Sequence, residues 1–193
     1  VKHILQLFDE PRSRSASVAE FIERGMADGE GVVVVMQFRN WQDTAVRLAR
    51  GGMDLEAVIR SGQLTVCDAA EMMGLLMRQG RPSRELFEQS AAALVRGMAA
   101  RWPVLRIYGE MVDLLAAEGN LGAALELEEL WNDLAAREPF TLFCGYSSLH
   151  FGNASTHAIL RQICGTHSHV RSNRQDTLAT FLVAAAASAP DIR

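Results

Sequence analysis

Apolar positions along the chain keep two different rhythms, and the two alternate. Short unbroken apolar runs occur at His3–Phe8 (HILQLF), Gly31–Met36 (GVVVVM), Gln63–Cys67, Val104–Tyr108 and Phe140–Cys144. Each has the length of a strand. The four consecutive valines show no polar alternation, so both faces of that strand are expected to be buried, as in a parallel sheet covered by helices. Between the runs lie stretches with apolar residues at i, i+3, i+4 and i+7, the mark of helices with one face on a core. Ser17-Val-Ala-Glu20 has capping-box spacing and follows a polar DEPRSRS loop, so a helix is predicted to open there with Val18, Phe21, Ile22 and Gly25 on one face. Asn40 is placed to cap the next helix, whose stripe is Trp41, Ala45 and Leu48, before Gly51-Gly52 ends it. Further helices are expected at about 55–60, 69–79, 83–101, 121–136 and 153–164, with one directly after Glu110 and a last one at about 174–189.

Strands separated by helical stretches require crossovers, which are right-handed in nearly all proteins. The predicted fold is α/β with three layers, a mostly parallel sheet between helices, in one domain covering 1–193. The length of 193 residues suits that reading. An apolar share of 49% excludes a disordered chain. A net charge of −4, with the arginines scattered, argues against direct nucleic-acid binding. Cys67, Cys144 and Cys164 are far apart and lack CxxC spacing, which fits reduced thiols in a cytoplasmic protein. No apolar run reaches the length of a membrane span, and the start of the chain reads as a strand and not as a signal peptide.

The chemistry concentrates at strand ends. Gly109-Glu110 puts a carboxylate at the carboxyl edge of the sheet, where open α/β proteins bind ligands. Lys2 is the only lysine, so no GKS or GKT phosphate turn exists. Glu110 can serve as a pocket acid, pair with Arg39 or Arg106, or favour the N-terminus of its own helix. Glu128 and Asn132, four residues apart, can aim into the crevice beside Tyr146. Cys144 would act as a nucleophile only if folding brought a histidine beside it. His167-Ser-His169 can share a strand face and hold a metal with His3 or an acid, or it can be a hydrogen-bonded sheet edge.

Seven segments carry a family resemblance: HILQLF, GMADGEGVVVV, SGQLTVCDA, RIYGEMVDLLAAEGN, LEELWNDLA, FTLFCGY and ICGTHSHV. In this order, over about residues 3–170, they resemble the MEDS domain, a methanogen/methylotroph sensory domain found in a regulator of dichloromethane use and in bacterial histidine kinases. The resemblance implies a RecA/KaiC-like fold without its phosphate-binding loop. It also implies a non-enzymatic input domain that binds a small organic molecule and signals to a histidine kinase or transcriptional regulator. In a RecA-like layout GMADGEGVVVV stands where the first nucleotide-binding strand would be, and MQFRNWQD occupies the phosphate turn. The expected ligand site has Met36, Phe38, Trp41 and Tyr146 as apolar walls, with Arg39, Asp68, Glu110 and His169 orienting polar groups. No cofactor or metal is assigned to it, and no membrane contact is expected. A residual ATPase or hydrolase built on Glu110, and a ligand-free interaction module, stand as alternatives. The apolar C-terminal helix also suits a homodimer.

Overall fold

The computed structural model describes residues 2–188. In chain order its first elements are β1 (Lys2–Phe8), α1 (Pro11–Ala27), β2 (Gly31–Met36), α2 (Phe38–Arg50), α3 (Leu55–Arg60), β3 (Leu64–Asp68) and α4 (Ala69–Leu76). A small hairpin of β4 (Met77–Arg78) and β5 (Arg81–Pro82) leads to α5 (Arg84–Gln89) and α6 (Ala91–Ala99). Then follow β6 (Leu105–Gly109), α7 (Met111–Ala117), α8 (Leu121–Ala135) and β7 (Phe140–Ser147). Two single turns of 3₁₀ helix precede α9 (His157–Gly165), β8 (His169–Ser172) and α10 (Thr177–Ser188).

The main sheet has the order β3-β2-β6-β7-β1-β8, and every neighbouring pair is parallel. The α/β fold expected from the apolar runs is therefore present, with a sheet wholly parallel. Alternation along β2 explains the valine run. Val32 and Val34 join Val18, Phe21 and Ile22 of α1 in one core, whereas Val33 and Val35 join the core under α4 to α10. From β1 the chain moves through α1 to β2, and through α2 and α3 to β3, all on the first face. It returns on the second face through α4–α6 to β6, through α7 and α8 to β7, and past α9 to β8. Changing face when the direction reverses keeps the crossovers one-handed. No helix among the described residues is long and apolar enough to cross a membrane.

Several element boundaries differ from the sequence expectation, each for a local reason. Helix α1 opens at Pro11, six residues before Ser17, because proline at the first helical position needs no amide partner and its φ is already helical. Ser17 lies inside the helix, where its hydroxyl accepts from Gln6 Nε2 at 3.0 Å. Asn40 is likewise inside α2, which starts at Phe38. The helix expected over 69–79 ends at Leu76, since Gln79 and Gly80 adopt positive φ (52° and 77°) in the hairpin turn. The helix expected over 83–101 breaks at Ser90, whose hydroxyl donates to the Leu86 carbonyl at 2.6 Å. The last helix begins at Thr177, and position 189 of its expected span lies outside the described residues.

Gly145 marks the tightest packing between strands. A Cβ there would lie 2.5 Å from the Tyr108 hydroxyl and 3.1 Å from the Phe8 ring, both fully buried. Gly145→Ala should therefore cost about 1–3 kcal/mol through overpacking. Urea denaturation of the variant and parent measures this, and an unchanged midpoint would show that the aromatic pair can move aside.

Candidate functional site

Helix α1 leaves β1 on one face of the sheet, while the chain leaving β7 passes to the other. The same is true of β2 with α2 and of β6 with α7. Two topological switch points thus adjoin at the carboxyl edge, and open α/β sheets bind ligands in the crevice such a point creates. A cavity of about 260 Å³ lies there, walled by Pro11, Leu114, Ala117 and Leu149 with Arg14, Arg39 and His150.

Arg14 organises its floor. Its Nη1 donates to Glu110 Oε2 and to Asp113 Oδ2, both at 2.9 Å, and its guanidinium lies over the Phe8 ring. All three charged side chains are buried. Glu110 Oε1 also accepts from the Gln37 backbone N–H and from Asn40 Nδ2 at 3.0 Å, while the Tyr108 hydroxyl donates to Oε2 at 3.3 Å. Asp113 Oδ1 accepts from the Ser147 N–H at 2.7 Å and pairs with His150 Nε2 at 2.9 Å. Burial pushes the Glu110 carboxyl up, and the Arg14 charge only partly offsets it. For Asp113 the balance reverses: burial raises it, but His150, Arg14 and the Ser147 amide together hold it below the ordinary aspartate range.

These contacts correct two expectations. Glu110 pairs with Arg14, not with Arg39 or Arg106; Arg106 is held instead by Glu30 and Asp28. Nor does Glu110 cap its own helix, since its carboxylate serves the start of α2. Asp68 helps there, accepting from the Phe38 N–H at 3.2 Å while its other oxygen caps α4 through Ala70 and Glu71. The Gln37 and Phe38 amides of the MQFRN turn are thus already matched to the chain's own carboxylates. Sheet order also moves the expected phosphate strand. The strand feeding the switch point beside β7 is β1, and its turn is Asp9-Glu10-Pro11, with two acids and no glycine. Asp9 is engaged as well: it accepts from the Leu178 and Ala179 amides of α10, both at 2.8 Å, and from the Ser148 hydroxyl at 2.5 Å.

Of the eight ligand-site residues expected from sequence, Arg39 lines the cavity and Glu110 lies beneath it. Phe38 is 64% exposed and Trp41 packs partly buried against the first-face core. Met36 and Tyr146 are fully buried, on opposite faces of the sheet. Asp68 ends β3, at the far side of the sheet from β1. His169 starts β8 opposite Ile4, away from the carboxyl edge. Arg14, Asp113 and His150, which the structure brings together here, are not among those eight. Arg14 was hidden in what read as a loop, and the Pro11 start would have placed it on a helix facing the strand ends. Tyr146 donates to Glu128 Oε1 at 2.9 Å inside the second-face core, so Glu128 and Asn132 point into the interior rather than the crevice. Burial and the Glu128 charge push the Cys144 thiol well up, the reverse of what a nucleophile needs.

The sequence matches, over residues 2–168, the family described as the MEthanogen/methylotroph, DcmR Sensory domain. The chain belongs to the MEDS family. No curated protein matches it in sequence. Among solved structures, this MEDS domain is similar to the KaiC-like protein PH0186 of Pyrococcus horikoshii OT3, with a TM-score of 0.51 at 19% identity. The alignment covers 76% of this chain and 62% of that one, and at this identity it speaks for the fold alone.

Arg14→Ala should leave two buried carboxylates without their cation, costing about 3–5 kcal/mol at neutral pH. In the parent, the depressed Asp113 carboxyl contributes stability at neutral pH and loses it only as pH falls through its folded value. In the variant both carboxyls are raised, so protonation relieves the penalty and the deficit against the parent shrinks from pH 7 to pH 5. Denaturant titrations at the two pH values test this. Equal deficits would assign the effect to packing of the side chain over Phe8.

Proposed function

We propose that this sensory domain is a non-enzymatic receptor that binds a small organic molecule in the carboxyl-edge crevice and signals to a histidine kinase or transcriptional regulator. The observation that carries the reading is the cavity over the paired switch points, where Phe8, Pro11, Leu114, Ala117 and Leu149 share the lining with a larger set of polar and charged side chains. Its volume of about 260 Å³ falls below the usual range for drug-sized ligands, about 300–1,000 Å³, which favours a compact guest. Leu114, Leu149 and Pro11 offer apolar contact; Arg39 and His150 supply hydrogen bonds. The acids at the β1 turn and the carboxylates already seated at the α2 N-terminus disfavour a nucleotide triphosphate.

A route outward runs through Asp9. This residue lines the crevice and also caps α10, so a guest that shifts the β1 turn alters the footing of that helix. Helix α10 carries Phe181 exposed at its surface, a contact point for a downstream partner or a second copy.

Calorimetry with a panel of short-chain alcohols, aldehydes, acids and halocarbons, beside MgATP, tests the proposal. One of the small organics should bind, MgATP should not, and Leu114→Trp, which fills the cavity, should weaken binding at least about tenfold, equivalent to roughly 1.4 kcal/mol. Arg39→Ala should weaken polar guests more than halocarbons. Unchanged affinity in Leu114→Trp would remove the site from this crevice, and tight MgATP binding would overturn the reading.

A further inference from the structure

A second cluster lies away from the crevice, on the second face of the sheet. His3 comes from β1, Glu128 from α8, Cys144 from β7 and His167 from the turn between α9 and β8. All four side chains are buried, and one donor atom from each falls within 4.8 Å of the others. His3 Nε2 lies 3.3 Å from Cys144 Sγ and 3.2 Å from Glu128 Oε2. Cys144 Sγ lies 3.2 Å from Glu128 Oε2, and His167 Nε2 lies 3.4 Å from Glu128 Oε1. The mutual separations of His3 Nε2, Cys144 Sγ and Glu128 Oε2 lie close to the edge of a tetrahedron around an ion with bonds of about 2.0–2.3 Å, roughly 3.3–3.7 Å, and His167 Nε2 approaches through the carboxylate's other oxygen.

The orientation of the rings is the second observation. His167 Nδ1 donates to the Ile163 carbonyl at 2.7 Å, which leaves the lone pair on Nε2. That nitrogen makes no hydrogen bond although the side chain is wholly buried. His3 Nδ1 donates to Asn132 Oδ1 at 2.8 Å, and Asn132 is itself oriented by donating to the Thr166 carbonyl at 2.9 Å. Its Nε2 lone pair therefore also faces inward. Outer acceptors on Nδ1 with Nε2 turned to a shared centre are the support that metal-ligating histidines receive. Tyr146 orients the carboxylate from behind. Two imidazole nitrogens, a thiol and a carboxylate thus converge on one buried space, and His167 Nε2 has no hydrogen-bond partner there. An unpartnered polar atom in such a place is costly.

We infer that His3, Glu128, Cys144 and His167 bind one divalent transition-metal ion, with two imidazoles, a thiolate and a carboxylate in a closed tetrahedral site suited to zinc. Binding releases the thiol proton to solvent, and no redox change accompanies it. The ligands leave no exposed position for a reacting water, so the ion's work is structural. It ties β1, β7, α8 and the α9–β8 turn together. His169, the other half of the HxH pair, stays outside on the exposed edge.

The test uses the full chain purified under reducing conditions, with metal measured by plasma mass spectrometry. About one equivalent of zinc is expected as isolated or after addition of zinc and desalting. Replacing it with Co2+ should give the strong visible bands of tetrahedral cobalt and a thiolate charge-transfer band. Cys144→Ser should lose that charge-transfer band, while Cys67→Ser and Cys164→Ser keep it. His167→Gln should weaken metal binding at least about tenfold. Because core variants can misfold, the parent is also melted with and without chelator: chelation should lower Tm, and zinc should restore it. Sub-stoichiometric metal, absent cobalt bands and a chelator-indifferent melt in the parent would overturn the site. A charge-transfer band surviving in Cys144→Ser would overturn its ligand set.

Discussion

One guanidinium holds the carboxyl edge of this sheet together. Arg14 comes from the first turn of α1 and reaches two acids that flank the start of α7. Through Glu110 the contact extends to the start of α2, and through Asp113 to the end of β7 and to His150. Four chain segments that would otherwise leave strand-end polar groups unpaired are thereby satisfied from within. In a buried setting such an arrangement stabilises only when every partner is present, because each charge has left water. The crevice above it is consequently built on a floor whose one guanidinium and two carboxylates are already committed to one another.

The same kind of contact recurs at other helix starts of this KaiC-like fold. Helix N-termini at strand ends attract negative charge. In this chain the charge is internal: Glu110 and Asp68 meet α2, Asp68 also meets α4, and Asp9 meets α10. Carboxylates borne on strand ends thus occupy the N-termini of α2, α4 and α10, and the lone lysine at position 2 stands at the opposite end of β1.

Most of the architecture could be read from the sequence because buried parallel strands leave a strong local imprint. The valine run, HILQLF and FTLFCGY each fall within the observed strands. Helix starts were harder. The capping-box spacing at Ser17 pointed into the middle of α1, since Pro11 supplied an earlier start without any side-chain cap. The candidate crevice was legible as a strand-end region and not in the side chains that line it. Glu110 was recognisable as a strand-end acid, but which arginine reached it depended on the helix start, six residues off. Neighbours along β7 show the same limit. Tyr146 and Ser147 point to opposite sides by strand parity, and sequence alone could not tell which side was the crevice. The His3, Glu128, Cys144 and His167 cluster draws on positions spread over the whole chain, so spacing carries little signal; the HxH pair points to His3 or an acid as companions, and it is His167 rather than His169 that meets both His3 and Glu128.

Strand β7 serves both places at once. Its residues Cys144 and Tyr146 turn toward the histidine cluster, while the next backbone amide, Ser147, is fixed by Asp113 at the crevice floor. Side chains on a strand repeat every two residues, so a single inserted or deleted residue in this segment would misplace both sets together. The two places are mechanically one rail apart, and evolution cannot retune the spacing of one without disturbing the other. Changes tolerated in β7 must therefore preserve its length.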